Sequence, residues 1–337
     1  FCPLYAAEGS ASVVSQFDMK DVEAAGLVKF DFLGLTTLTI LDWTLRFIKR
    51  LDPESQIRLE QLPLDDPATF KVFAGANTTA VFQFESRGMR ELLKQARPDR
   101  FEDIIALVAL FRPGPMELIP DFVKRKQGQE RVEYLDKRLE PILSPTYGIM
   151  VYQEQVMQIA QVIGGYSLGA ADLLRRAMGK KKAEEMAQHR DIFKDGAMKD
   201  GVPEHRAGQL FDLMEKFAGY GFNKSHAAAY ALLAFHPAYV KAHHPAAFMA
   251  ANLSAVMDDT DKVQQFCEDT IANGLEVLPP DIHTAEYRFV PVDAKRIRYG
   301  LGAVKGTGES AIAHIIETRA QGGHFKDLFD FCRRVDK

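Results

Sequence analysis

Apolar residues recur with a helical period along most of this chain. After residue 35 the apolar positions that share one helix face are Leu38, Leu41, Leu45 and Ile48. Helical patterning then dominates to about residue 270. It is interrupted at Pro113-Gly114-Pro115, because proline lacks an amide donor and disfavours helix in the residue before it. The pattern predicts a mainly α fold, α+β overall.

Two segments near the amino end break the helical pattern. Residues 28–33 alternate with period two, which predicts a short strand whose three apolar side chains share one face. Lys29 and Asp31 would then lie side by side on the exposed face. Residues 79–84 are either a short strand or an apolar stretch packed under a helix.

The pattern changes again near residue 271, where we place a boundary. Short strands are predicted at 287–290 and 297–299, and a helix from about Glu309 to Arg319. The carboxy-terminal part therefore reads as a small α+β segment.

Glycines and capping residues predict several helix ends. Residues 149–163 form an amphipathic helix that Gly164-Gly165 stops, and a second helix ends near Met178-Gly179. Asn223 or Ser225 can cap a helix that runs to His243 and is bent or broken near Pro237.

Composition and cysteine usage fit an ordinary soluble protein of a reducing cytoplasm. The chain is 47% hydrophobic and 26% charged, and no apolar run is long enough for a membrane span. Its three cysteines are isolated in sequence, which makes a disulfide framework or thiolate zinc site improbable. The amino end has no secretion signal and no initiator Met, so we expect a segment of a longer protein.

Basic residues are clustered although the net charge is −4. One group lies at 87–100, a second at 124–126, and a third comprises Arg175, Arg176 and the lysines at 180–182. Each cluster is either a solvated face or a site for a polyanion. Three in one chain favour the polyanion weakly.

Four motifs could carry chemistry. Asp31 could bind Mg²⁺ beside Lys29, or the two could be a surface ion pair. Arg175 and Arg176, with the lysines after them, could grip phosphate or simply complement a helix end. Residues 219–226 combine a glycine turn, two aromatic side chains and a helix amino terminus. The Gly306-Thr307-Gly308 turn before a helix could present amides to a DNA phosphate.

These segments resemble the alpha (polymerase) subunit of bacterial DNA polymerase III. The resemblance covers essentially the whole chain in the family's order. The matching stretches are Gly26–Leu35, Phe101–Pro115, Pro145–Ala160, Leu174–Lys182 and Phe217–His226.

The resemblance implies a domain for each part of the chain. Residues 1–36 would be the end of the palm, with a short strand, and residues 37–270 a helical fingers domain. Residues 271–337 would begin the helix-hairpin-helix and clamp-binding region. The activity implied is template-directed DNA synthesis with two Mg²⁺ ions.

The resemblance also assigns roles to single residues. Asp31 matches a catalytic, metal-binding aspartate and Lys29 its neighbouring palm lysine. The implied contacts with DNA come from Arg112, Lys305, Gly306 and Gly308. The implied contacts with the incoming deoxynucleoside triphosphate come from Arg175, Arg176, Lys180, Lys182, Tyr220, Asn223, Lys224, Ser225 and His226, and Tyr220 and His226 are candidates for excluding a 2′-hydroxyl.

The family's other two catalytic aspartates are expected upstream of residue 1. We therefore predict that the chain alone extends no primer, because one carboxylate cannot position two ions. The partners implied are template-primer DNA and deoxynucleoside triphosphate. For the full subunit they also include the sliding clamp, the proofreading exonuclease subunit and a clamp-loader subunit, with no membrane. The alternatives are a non-catalytic DNA- or nucleotide-binding module and a structural subunit-interaction fragment.

Overall fold

The computed structural model describes residues 1–180, 183–218 and 220–335. The described residues form two compact units, which divide between residues 39 and 40. The described part is mainly helical with two small sheets, so the predicted fold class is confirmed.

The amino-terminal unit contains a two-stranded antiparallel sheet and a short helix. The strands are β1 (Leu4–Tyr5) and β2 (Val14–Ser15), and the helix is α1 (Met19–Ala24). Asp18 caps α1, because its carboxylate accepts from the amides of Lys20 and Asp21 at 2.7 and 3.0 Å.

The strand predicted at residues 28–33 is wrong. No described residue pairs with this segment, and its apolar side chains are exposed: Val28 by 73%, Phe30 by 75% and Phe32 by 93%. A strand needs partner hydrogen bonds and a buried face, and the described residues supply neither here.

The remaining helices follow in chain order. They are α2 (Thr36–Leu51), α3 (Pro67–Ala74), α4 (Arg87–Ala96), α5 (Phe101–Leu110), α6 (Ile119–Lys126), α7 (Glu140–Leu143), α8 (Gln153–Gly164), α9 (Leu168–Lys180), α10 (Ala183–Lys199), α11 (Glu204–Ala218), α12 (Lys224–His243), α13 (Pro245–Ala255), α14 (Thr260–Ala272), α15 (Glu309–Gly322) and α16 (Leu328–Arg334).

The helices of the second unit pack around three larger apolar clusters. In the first, α12 packs on α3 and α5, with Phe73, Phe84 and Phe235 fully buried. The second lies among α8, α9, α10 and α11. In the third, α13 contributes a nearly continuous apolar surface to α2, α14 and the carboxy-terminal sheet. Residues 79–84 form turns whose Val81 and Phe84 join the first cluster, so they are the packed apolar stretch rather than a strand.

Helix α12 is continuous through Pro237, so of the predicted bend or break the break is wrong. Proline removes one helical hydrogen bond, which usually kinks or ends a helix. Here Ala234, Phe235 and Ala238 around it are fully buried in the first cluster. Because the side chains on both sides of Pro237 are buried, their packing holds the helix together across the proline.

The carboxy-terminal segment is built on a three-stranded sheet of order β3-β5-β4. The strands are β3 (Glu276–Leu278), β4 (Val290–Pro291) and β5 (Arg296–Arg298). β5 runs parallel to β3 and antiparallel to β4. The small α+β segment is therefore confirmed. None of the described helices is both long and apolar enough to cross a membrane.

Candidate nucleotide-binding site

The start of α8 and the segment before α12 lie side by side. Tyr152 and Phe222 form a parallel bridge. The amide of Phe222 donates to the carbonyl of Val151 at 3.2 Å, and the amide of Gln153 donates to the carbonyl of Phe222 at 2.9 Å. Two segments 70 residues apart in sequence thus share one short backbone ladder.

Asp172 orients the two arginines of α9. Its Oδ1 accepts from Nε and Nη2 of Arg175 at 2.9 and 2.8 Å, and its Oδ2 lies 2.8 Å from Nε of Arg176. The hydrogen bond from Arg175, with both positive charges nearby, holds the pKa of Asp172 below its usual value. The side chain of Arg175 is 30% exposed and that of Arg176 64%. Because Gln153 takes a hydrogen bond from Nη1, each guanidinium nitrogen of Arg175 has a partner, and one N–H on each of Nη1 and Nη2 is left for an anion.

Gln153 connects Arg175 to the segment before α12. Its Oε1 accepts from Nη1 of Arg175 at 3.2 Å, and its Nε2 donates to the carbonyl of Gly221 at 3.0 Å. One side chain therefore joins two motifs that the sequence analysis had singled out separately.

Arg112 supports the same segment from the end of α5. Its Nη2 donates to the carbonyl of Tyr220, its Nε donates to the carbonyl of Ala109 at 2.9 Å, and its guanidinium lies 4.6 Å from the ring centroid of Phe222. Burial lowers the pKa of Arg112, which has no carboxylate within ion-pair distance among residues 1–180, 183–218 and 220–335.

Tyr220 packs against Gly114. A Cβ at Gly114 would lie 2.5 Å from two ring carbons of Tyr220, and Gly114 has φ +99°. The Tyr220 ring is 40% exposed and borders a cavity of about 370 Å³ lined also by Asp121, Arg125 and Lys216.

The amino terminus of α12 is capped twice. The side chain of Asn223 accepts from the amide of His226 at 2.8 Å. The carboxylate of Glu154 accepts from the amide of Lys224 at 2.9 and 3.0 Å and from Nδ2 of Asn223 at 3.0 Å. Of the two predicted caps, Asn223 is confirmed, and Ser225 is an exposed residue of the first turn.

His226 contacts two aromatic rings, Tyr230 in a stacked arrangement and Phe222 edge to face. Its ring centroid lies 5.3 Å from that of Phe222 and 4.4 Å from that of Tyr230. Nζ of Lys224 lies 5.5 Å from the ring centroid of Tyr152. The contacts thus connect Arg112, Arg175, Tyr220, Asn223 and His226 in one network.

Four of the predicted site residues are not among those that these contacts connect. The side chain of Lys180 and the whole of Lys182 fall outside the described residues. Lys29 and Asp31 belong to the amino-terminal unit, where Nζ and Oδ2 are 3.4 Å apart and both side chains are exposed.

The hairpin residues form a separate feature of the carboxy-terminal segment. Gly306 has φ +89°, and Gly308 is the amino-terminal cap of α15. Lys305 precedes them on the surface. The hydroxyl of Thr307 donates to the carbonyls of Leu301 and Val304 at 3.0 and 2.7 Å, which closes the turn.

The described residues contain no group of three or more histidine, cysteine, aspartate or glutamate side chains that could hold a metal ion. Asp31 supplies one exposed carboxylate, which is too few donors for two ions. The residues present do not by themselves fit the implied Mg²⁺ pair.

Sequence reasoning missed three supporting residues, Gln153, Glu154 and Asp172. The first two lie in the stretch Pro145–Ala160 that carries the family resemblance, and Asp172 lies three residues before Arg175. That i,i+3 spacing, with the i,i+4 spacing to Arg176, is the signal that could have identified Asp172 as a partner.

Three family models match consecutive parts of the chain. Residues 1–34 match the bacterial DNA polymerase III alpha NTPase domain, residues 37–201 the bacterial DNA polymerase III alpha subunit finger domain, and residues 274–337 a helix-hairpin-helix motif. The finger-domain match includes Arg112, Gln153 and Arg175, whereas Tyr220 to His226 lie beyond it. The class of protein that these matches define is a bacterial DNA polymerase III alpha subunit.

Curated relatives agree over the whole chain. DNA polymerase III subunit alpha of Neisseria meningitidis serogroup B is 57% identical over 337 residues, which is 100% of this chain and 29% of the relative. The same-named proteins of Vibrio cholerae and Escherichia coli K12 are 56% and 54% identical over 100% of this chain and 30% of each relative. The chain belongs to the bacterial DNA polymerase III alpha-subunit family and spans about 30% of those relatives' length.

Proposed function

We propose that this chain is the part of a DNA-directed DNA polymerase that holds the incoming deoxynucleoside triphosphate. The observation that carries the proposal is the Gln153 bridge, which joins the guanidinium of Arg175 to the carbonyl of Gly221. A phosphate-binding group and an aromatic segment suited to a sugar and base thus share one anchor.

Arg175 and Arg176 are proposed to grip the triphosphate, with Lys180 and Lys182 adding positive charge. A guanidinium offers a planar fork of donors that matches phosphate oxygens. Because Asp172 already orients both forks, little side-chain freedom remains to be lost when an anion binds.

The segment from Tyr220 to His226 is proposed to face the sugar and base. Tyr220 and the stacked His226 ring would exclude a 2′-hydroxyl by occupying its space. The ammonium of Lys224 and the hydroxyl of Ser225 would place donors beside the phosphates. Asn223, whose Nδ2 is bonded to Glu154, would contribute by capping the helix that carries them.

Asp31 is proposed to contribute one carboxylate to a Mg²⁺ site, with Lys29 balancing phosphate charge. The ions, when bound, would activate a primer hydroxyl and stabilise the leaving pyrophosphate. The remaining ligands must come from residues outside the described set.

Template-primer DNA is proposed to contact the backbone turn at Gly306 and Gly308 and the ammonium of Lys305. Arg112 has Nε and Nη2 bonded within the protein, so a DNA contact would use its Nη1. We further propose a cytoplasmic location and, for the full subunit, the clamp, exonuclease and clamp-loader partners. The domain limits 1–36, 37–270 and 271–337 are part of this proposal.

The test is Arg175→Ala in the complete alpha subunit, with Arg206→Ala as the control. Arg206 is an exposed arginine of α11 outside the site. By analogy with other transition-state donors, we expect kcat/KM for nucleotide incorporation to fall about a hundred- to thousand-fold for Arg175→Ala. Equal kinetics for the two variants would contradict the proposed triphosphate site.

A non-catalytic binding module is the second candidate, and the helix-hairpin-helix match at residues 274–337 favours it for the chain alone. Electrostatic DNA binding should weaken with salt by about 0.9 in log affinity per log unit for each phosphate contact. Primer extension by the purified chain, free of host polymerase, would exclude a purely binding role.

A further inference from the structure

A second cavity, of about 510 Å³, lies where α2 meets the carboxy-terminal segment. Its walls carry Trp43 and Arg46 from α2, the loop 286–288, and Arg319 from α15. None of these residues belongs to the site described above.

Arg288 is held at this cavity by aromatic rings. Its guanidinium carbon lies 4.8 Å from the ring centroid of Trp43 and 5.7 Å from that of Tyr287. Within residues 1–180, 183–218 and 220–335, no carboxylate lies within ion-pair distance of Arg288. The flat face of the Arg288 guanidinium is therefore held by the two rings, while the N–H groups along its edge remain free to bind an anion.

The other charges leave the cavity positive. Among the lining residues, three are arginines and one is a glutamate. Arg46 is paired with Asp42 at 2.9 Å, so the excess positive charge comes from Arg288 and Arg319. The glutamate, Glu286, is already paired with Arg50 at 2.8 Å. Nη1 of Arg319 donates to the carbonyls of Ile282 and Ala285 at 2.8 and 2.9 Å, and the guanidinium keeps its positive charge. This chemistry suits an extended polyanion with stacking groups rather than a neutral ligand.

The loop that lines the cavity is also hydrogen-bonded to the turn that precedes the hairpin. The amides of Leu301 and Gly302 donate to the carbonyls of Glu286 and Tyr287, both at 2.9 Å. A Cβ at Gly302 would lie 2.7 Å from the ring of Tyr287. The loop that carries Arg288 is thus fixed on the turn that leads into Gly306.

We propose that the cavity at Trp43 and Arg288 is a nucleic-acid strand site. Arg288 binds a backbone phosphate, and Trp43 packs against the adjoining nucleotide. The inference depends on the proposed function only for the choice of a nucleic-acid strand over other polyanions.

Trp43 provides a direct test because it is the only tryptophan of the chain. Short oligo(dT) is titrated into the 337-residue chain while tryptophan fluorescence is recorded, and binding is followed in parallel by anisotropy of the labelled oligonucleotide. We expect saturable quenching. Arg288→Ala should weaken affinity about tenfold and reduce the slope of log affinity against log salt by about 1.

The matched control is Arg296→Ala, an exposed arginine of β5 paired with Asp293 at 2.7 Å. It should leave both quenching and salt slope unchanged. Arg288→Lys should retain the salt slope and lose part of the affinity, because the charge remains and the fork does not. Repeating Arg288→Ala in the complete alpha subunit by anisotropy guards against a folding defect of the shorter chain.

The outcomes separate this inference from the proposed function. Oligonucleotide binding that leaves Trp43 fluorescence unchanged, or is equal in Arg288→Ala, would overturn the strand site and leave the proposed function standing. Quenching by deoxythymidine triphosphate alone, at equal phosphate concentration, would also overturn it. If neither the oligonucleotide nor deoxythymidine triphosphate binds to the chain or to the complete subunit, both the strand site and the proposed function are contradicted.

Discussion

At the scale of single residues, Tyr220 is held from two directions. Arg112 bonds its carbonyl, and its ring rests on Gly114. The ring is therefore placed by contacts with the end of α5 and the turn after it, 106 residues earlier in the chain. A residue proposed to exclude nucleotides that carry a 2′-hydroxyl needs a fixed position of this kind.

Gly114→Ala should displace that ring. Alanine is strained at φ +99°, and its Cβ would overlap the Tyr220 ring carbons. We expect the free energy of unfolding to fall by more than about 1 kcal/mol in urea titrations. Gly128→Ala is the control, because Gly128 also has positive φ, +70°, but has open space around it. An equal decrease in the free energy of unfolding for Gly114→Ala and Gly128→Ala would contradict the expected overlap between the new Cβ and the Tyr220 ring.

Asp136 should make stability depend on acid pH. Hydrogen bonds from Arg138 lower the pKa of its carboxyl to about 2 from 3.8. The unfolded chain therefore binds the proton first as pH falls, and stability is lost between about pH 4 and pH 2. Asp136→Asn should lower the free energy of unfolding by about 2 kcal/mol at neutral pH.

The difference between Asp136→Asn and the parent should shrink as pH approaches 2 in urea titrations. A difference that stays constant across this window would contradict the assigned partner.

Some of these residue positions followed from sequence and others did not. Asn223 was predicted as a cap because capping depends on neighbours within three residues. The bond from Arg112 to Tyr220 joins positions 108 residues apart, and no local pattern encodes it.

At the scale of elements, the junction of α8 with the segment before α12 is the central feature of the candidate site. Gln153 contributes both its backbone amide and its side chain to that junction. It is a positioning residue, acting through Arg175 and Gly221 rather than on the nucleotide itself.

Gln153→Ala in the complete subunit should raise KM for deoxynucleoside triphosphate more than it lowers kcat. The control is Gln158→Ala, an exposed glutamine of the same helix. In a double-mutant cycle, Gln153→Ala should add little in an Arg175→Ala background, because contacting residues are not additive. Full additivity would mean that Gln153 does not act through Arg175.

Helices were predictable and the amino-terminal strand was not. The periodic segments became α2, α8 and α15 close to their expected limits, since each carries its own apolar face. Residues 28–33 alternate as a strand would, but an alternating segment forms a strand only when a neighbouring strand accepts and donates its backbone hydrogen bonds. Pro237 shows the reverse, because burial overrides a local preference that the sequence displays plainly.

At the scale of the whole molecule, a buried ion pair connects α12 to α14. Nζ of Lys241 lies 2.9 Å from Oδ2 of Asp269 and donates to the carbonyl of Thr79 at 2.9 Å. The two side chains are 2% and 14% exposed. Burial lowers the pKa of Lys241, and Asp269 opposes that shift. The pair therefore connects the first and third apolar clusters.

Asp269→Asn should destabilise the protein by about 3–5 kcal/mol, because it leaves a buried ammonium without its counter-charge. Thermal and urea unfolding measure the loss. Lys241→Met should restore much of it when combined with Asp269→Asn, since an apolar side chain needs no partner. No recovery in the double variant would point to damage other than the unpaired charge.

The unpaired segment at 28–33 also determines where the chain can be cut. Its backbone pairs with no strand among the described residues, and the side chains of Phe30, Phe32 and Leu33 are largely exposed to solvent. Chymotrypsin needs an extended, accessible peptide with an aromatic or large apolar side chain, and this segment offers three such sites in a row. Brief digestion should therefore release a large product beginning near Gly34, long before the helices around Phe73 and Phe235 are touched.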